Sequence, residues 1–159
     1  MQAEPAMTPL DPRQIKVLRA RLLIATIVMT GVAVLICLGP LRATPIPPGV
    51  LPGTVAALGL IASLILPRRR YRAWGYREEE DELHVRYGLL VRVQTAVPFA
   101  RVQHIDLAQG PIERRYGLAR LILHTAGTRG ASIPLPGLAR EEAEAMRDRI
   151  RAKIREDLA

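Results

Sequence analysis

The sequence predicts an α+β membrane protein: two N-terminal transmembrane helices, then a small, mostly antiparallel β barrel or sheet capped by a C-terminal amphipathic helix. Three observations carry this. Two long uncharged apolar runs lie between Leu22 and Leu66. From Leu83 to Leu135, short segments alternate apolar and polar residues with a period of two. From Arg140 onward, apolar residues recur at steps of three and four.

The first run, residues 22–41, holds 20 residues without a charge. At about 1.5 Å rise per residue it covers about 30 Å, the thickness of a hydrocarbon core. It is too long for a signal-peptide core, and a second apolar run follows at once. That second span covers residues 48–66, after a Pro/Gly turn from Thr44 to Gly49. Two buried core helices are not a workable alternative, because the remaining chain is too small and polar to enclose them. Gly31, and Gly53 with Gly59, are candidate points of close helix approach. Cys37 lies alone inside the first span, so neither a disulfide framework nor a thiolate metal cluster is expected.

The formal charge is +8. Its placement explains it. Arg13, Lys16, Arg19 and Arg21 precede the first span; Arg68, Arg69, Arg70, Arg72 and Arg77 follow the second; the connection has only Arg42. By the positive-inside rule the chain is a multi-pass protein of the cytoplasmic membrane with both termini in the cytoplasm. Residues 1–21 read as a basic cytoplasmic N-terminus. Arg19, Arg21, Arg68, Arg69, Arg70 and Arg72 are expected to meet anionic head groups. Membrane lipid is thus the expected anionic partner. With one Trp, one Phe and four Tyr there is no aromatic platform for nucleic acid, and none is expected to bind.

Residues 71–159 form the cytoplasmic domain. Leu83-His84-Val85-Arg86-Tyr87 and Val91 to Val97 alternate as half-buried antiparallel strands. Leu121, Leu123 and Thr125 continue the pattern, then Ile133 and Leu135. Gly88, Gly110, Gly117, Gly127 and Gly130 mark turns, and Pro98 a strand end. In the last segment Ala143, Met146, Ile150, Ile154 and Leu158 form one apolar stripe. Glu141 and Glu142 suit the helix start, with Ala139 at the cap position.

The run from Val97 to Gly127, VPFARVQHIDLAQGPIERRYGLARLILHTAG, together with Trp74-Gly75-Tyr76, Asp81 to Leu90 and Ile133 to Ile150, resembles the YdbS/YdbT-like family of bacterial membrane proteins with a pleckstrin-homology-like (PH-like, bacterial PH) domain. The resemblance covers about the whole chain. It implies a seven-stranded, strongly bent sheet capped by a C-terminal helix. It implies no enzyme, cofactor or small-molecule substrate. It implies instead a binding or assembly module, working with itself or with a larger homologue, with some members associated with defence against envelope-acting antimicrobials. Tyr87 stands before Gly88 where the resemblance leads one to expect Arg.

The polar run invites sharper readings. His84, His104 and His124 are spaced by twenty residues each, but sequence spacing does not make them converge, and no metal site is expected. His104 and Asp106, with Glu113, are the residues an alternative hydrolase reading would use, without an evident nucleophile. The preferred reading makes Arg101, Gln103, His104, Asp106, Gln109, Glu113 and Arg114 a binding surface or framework, their polar side chains holding loop backbone. A lipid-sensing module is the alternative function. Arg72, Arg77, Arg86 and Arg92 occupy the strands that bind head groups in PH folds. Glu78, Glu79, Glu80 and Asp81 are expected to stand in or beside that loop and repel a polyanion, so specific phosphoinositide binding is not expected.

Overall fold

The computed structural model describes residues 6–39, 47–126 and 132–157. The chain divides into two compact units: Ile15–Arg68, and a second made of Met1–Gln14 with Arg69–Ala159.

The first unit is helical. Helix α1 runs Gln14–Leu38 and α2 runs Val50–Ala73. Both are long and apolar enough to cross a membrane, and only 11% of each apolar window is buried. That decides against core helices of a soluble protein. Ile27, Leu35 and Leu64 face outward instead. The helices approach closely at Gly59, where an added Cβ would lie 2.3 Å from the Thr26 Oγ1. Gly31 and Gly53 have open space around them and mark no such contact. Thr26 and Ser63 return their hydroxyls to the Leu22 and Leu60 carbonyls, so neither leaves a polar group bare in an apolar helix. Cys37 is buried. Helix α2 continues through Pro67 to Ala73, seven residues past the span expected from hydropathy. Pro40, Leu41, Arg42 and the turn residues Thr44 to Ile46 lie outside the described residues.

The second unit contains the β structure. Strands β1 (Gly75–Glu78), β2 (Glu82–Tyr87) and β3 (Val93–Pro98) form one antiparallel sheet. Strands β4 (Val102–Ala108), β5 (Leu118–Thr125) and β6 (Ser132–Ala139) form another. The five-residue helix α3 (Pro111–Arg115) joins β4 to β5, and helix α4 (Arg140–Asp157) follows β6. The described residues thus carry six strands in two three-stranded sheets rather than the seven of one bent sheet. Alternation puts Leu83, Val85, Val97, Ile105, Leu121, Leu123 and Leu135 into a shared core. Ala143, Met146 and Ile150 of α4 close it, as their spacing predicts. Leu158, Gly127 and Gly130 lie outside the described residues.

One difference from the sequence reading has a local cause. Val91 does not begin β3. Leu89, Leu90 and Val91 form the turn between β2 and β3, with Gly88 at φ +108°, a conformation open to glycine. Pro136 and Gly137 belong to β6, where Gly137 at φ +70° sits beside an irregular register with β5.

The N-terminal segment is the larger surprise. The sequence reading sets residues 1–21 apart as a basic tail, yet residues 8–14 pack on the β unit. Thr8 and Tyr76 exchange two backbone hydrogen bonds, at 2.7 and 3.0 Å. The Asp11 N–H donates to the Gly137 carbonyl at 2.9 Å. Between them Leu10 enters the core cluster.

Candidate functional site

Four arginine residues gather around one cavity at the end of the β unit that follows α2. Arg69 and Arg72 come from the last turns of α2, Arg86 from β2, and Arg92 from just before β3. With Gly88 and Leu89 they line a cavity of about 300 Å³. Among the described residues, no carboxylate lines it. Tyr87, next to Arg86, stacks on Trp74 at 5.1 Å between ring centroids, which fixes that end of β2 against the end of α2. Beside the cavity the β2–β3 turn is strongly apolar and solvent-facing: Leu90 is 97% and Val91 73% exposed. Arginine stays charged and offers a planar fork of donors suited to phosphate oxygens.

The acidic run does not stand beside these arginines. Glu78 to Asp81 lie at the β1–β2 turn, the opposite end of β2, about 20 Å away at about 3.3 Å per residue. They are engaged there. Arg149 of α4 donates to Glu78 at 2.8 and 3.1 Å and to Glu142 at 3.0 Å. These two carboxylates push the Arg149 pKa up, Glu78 foremost. Arg77 pairs with Glu79, and Lys153 caps the carbonyls of Glu79 and Glu80. The repulsion expected from the sequence therefore does not fall on the basic cavity.

A second constellation lies on the outer face of β4 and β5. His104 and His124 are paired in register, and their rings stack at 4.1 Å. Asp106 presents its Oδ2 3.0 Å from the His124 Nε2. So Asp106 pairs with His124 across the hairpin, not with His104 along its own strand. His84 is elsewhere, with its Nε2 2.6 Å from Glu82 and 3.4 Å from Glu79.

The sequence profile of the Bacterial PH domain family matches residues 20–154, most of the chain. The chain belongs to the Bacterial PH domain family. As a member it is similar to the UPF0699 transmembrane protein YdbS of Bacillus subtilis, 38% identical over 99 residues, which cover 62% of this chain and 60% of that relative. It is also similar to the UPF0699 transmembrane protein YdbT of the same organism, 29% identical over 97 residues, 60% of this chain but 19% of that relative. The matched segment thus spans less than two thirds of either relative. No solved structure matches.

Against this Bacterial PH domain, the residues singled out in sequence fall into separate places. Arg69 and Arg72 line the basic cavity. Arg21, Arg68 and Arg70 are exposed, and Arg19 is half-buried. Arg101, Gln103 and Arg114 are exposed, with Gln103 at an irregularity in the β4 register that lets Val102 and Ile105 both face inward. Gln109 donates to the carbonyl of Leu118, the first residue of β5, at 2.8 Å. Glu113 is buried and takes Arg120 at 3.1 Å. His104, directly after the β4 irregularity, and Asp106 stand on the exposed face of β4, where they meet His124. Arg86 and Arg92 complete the cavity, although sequence reading set them aside. Their signal was the placement on either side of Gly88, which brings them together once the turn closes.

Proposed function

We propose that this chain is a membrane-anchored, PH-like binding module at the inner face of the cytoplasmic membrane, and that its Arg69, Arg72, Arg86 and Arg92 cavity takes the phosphate of an anionic lipid. One observation carries the reading: four arginines line one cavity, with no carboxylate among its described lining residues, next to the exposed Leu89–Val91 tip. An apolar tip rimmed by arginine suits the boundary between acyl chains and head groups. Each arginine near an anionic surface contributes about 1 kcal/mol of attraction. Arg69 also follows the apolar run of α2 within three residues of Leu66.

The orientation has its own support. Thr8 pairs with Tyr76 and Asp11 with Gly137, which supports a topology in which the chain before the first span and the domain after the second lie on one side. The arginine excess at both borders favours the cytoplasm for that side. The reading gives the chain no catalytic role. The His104 and His124 rings stack on each other, and Asp106 meets His124.

Full-length protein purified in mild detergent from membranes containing phosphatidylglycerol tests the proposal. Mass spectrometry of the retained lipid is expected to find phosphatidylglycerol with the native protein and little with Arg86→Gln/Arg92→Gln. Equal retention by both, with unchanged thermal stability, would sink it. Assembly with itself or with a longer homologue is a second reading, favoured by the match to one segment of the longer YdbT in an organism that also has YdbS. Crosslinking in native membranes, followed by mass spectrometry of captured chains, separates the two.

A further inference from the structure

The His104, Asp106 and His124 group is not among the residues that line the basic cavity, and it combines features that a solvated strand face does not need. Three donors from two strands are gathered, His104 and Asp106 of β4 and His124 of β5: their ligand atoms all lie within 4.8 Å of one another. Two imidazoles sit face to face, with ring planes 13° apart. The backbone under them is firm. Ile105, Leu121 and Leu123, their neighbours on β4 and β5, are buried in the core, so the two strands cannot slip without turning their whole pattern over.

We propose that His104, Asp106 and His124 bind a divalent transition-metal ion of the zinc type. The donor set is two nitrogens and one carboxylate oxygen, which suits zinc and its borderline-soft neighbours. Magnesium and calcium, which require mostly oxygen ligands, are poorly served by a single carboxylate. Metal bonds of about 2.0–2.2 Å at tetrahedral angles bring donors to about 3.3 Å apart. Side-chain rotation that turns the two rings from face to face towards a common point covers the difference, with the strand backbones fixed. The ion clips β4 to β5 from the solvent side and leaves a coordination position for water.

The other candidate group, Glu79, Glu82 and His84, is different in kind. There Arg77 pairs with Glu79, and its fixed positive charge opposes a cation.

The test uses full-length protein in detergent, freed of metal and titrated with Zn2+ alone by calorimetry. One equivalent is expected to bind and to raise the melting temperature. Asp106→Asn is expected to weaken binding about 10- to 100-fold, and His104→Ala or His124→Ala to remove it. His84→Ala is expected to bind as the native protein does. The three ligands are solvent-facing, so their variants are expected to keep the metal-free melting temperature. Co2+ gives a second readout, a visible absorption band present in the native protein and lost in His124→Ala. Absence of saturable Zn2+ binding would overturn the proposal. So would native affinity in His104→Ala and His124→Ala, or loss of binding in His84→Ala instead.

Discussion

The Tyr71 hydroxyl donates to the carbonyl oxygen of Leu10 at 2.9 Å. One bond thus joins the last turns of α2 to the segment before α1, both within the β unit. Tyr71→Phe removes the donor and little else. It is expected to cost about 1 kcal/mol, near the mean for one hydrogen bond. Leu10→Ala removes a core side chain and is expected to cost about 2–4 kcal/mol. Thermal unfolding of the full-length protein in detergent measures both. A Leu10→Ala protein as stable as the native one would mean that the segment does not hold the domain.

The same segment makes stability depend on pH. The Arg13 side chain hydrogen-bonds the Asp11 carboxylate and holds its pKa below the usual value, with burial opposing. A carboxyl whose folded pKa is depressed stabilises the fold fully above its unfolded pKa of about 3.9. That contribution is lost as pH falls through the lower, folded value. Asp11→Asn keeps the acceptor oxygen that receives the Arg13 N–H and removes the charge. Its melting temperature is expected to lie below the native one at neutral pH, and the two curves to converge at about pH 2. Parallel curves at all pH values would contradict this.

Arg120, rather than Arg114, carries weight in the turn between β4 and β5. Glu113 is 4% exposed and takes the Arg120 guanidinium at 3.1 Å, whereas Arg114 points to solvent. Arg120→Ala withdraws a cation from a buried carboxylate. It is expected to cost about 1–3 kcal/mol. Arg114→Ala is expected to stay within about 0.5 kcal/mol of the native protein. Chemical denaturation of the two variants side by side decides it.

Gly88 shapes the basic cavity. An alanine there meets a positive φ and puts its Cβ 1.9 Å from the Val91 carbonyl oxygen. The turn must open, which separates Arg86 from Arg92. Gly88→Ala is expected to lower stability by about 1–3 kcal/mol and to reduce retention of anionic lipid. Leu90→Ser, at a side chain already in solvent, is expected to leave stability alone and weaken only membrane-dependent binding. If Leu90→Ser unfolds the protein, the tip is part of the core after all.

What was legible in the sequence is what local patterns encode. Uncharged runs gave the two helices, alternation placed Leu83, Val85, Leu121 and Leu123 inward, and the stripe of Ala143, Met146 and Ile150 gave α4. What failed depends on partners distant in sequence. Leu89-Leu90-Val91 looks like the start of a strand because apolar residues mark both cores and exposed tips. The acidic run seemed close to Arg86 and Arg92 because sequence distance hides that a strand of six residues separates its two ends. Asp106 meets His124 only through the β4–β5 register, which no spacing rule reveals. Leu10 has no periodic neighbours and therefore no local sign that it belongs to the core.

The strap from Thr8 to Gln14 also imposes an order on biosynthesis. It leaves the ribosome before either apolar helix, while its acceptor at Gly137 is made near the end. Leu10 therefore waits, uncovered, until both spans have been handed to the membrane. A chain inserted with its first residues on the wrong side has nothing to seat against the last strand, and its core stays one leucine short. Completion of the domain is thereby expected to depend on correct insertion of the hairpin. Chains forced into a single span are expected to be cleaved by protease far faster than correctly inserted ones.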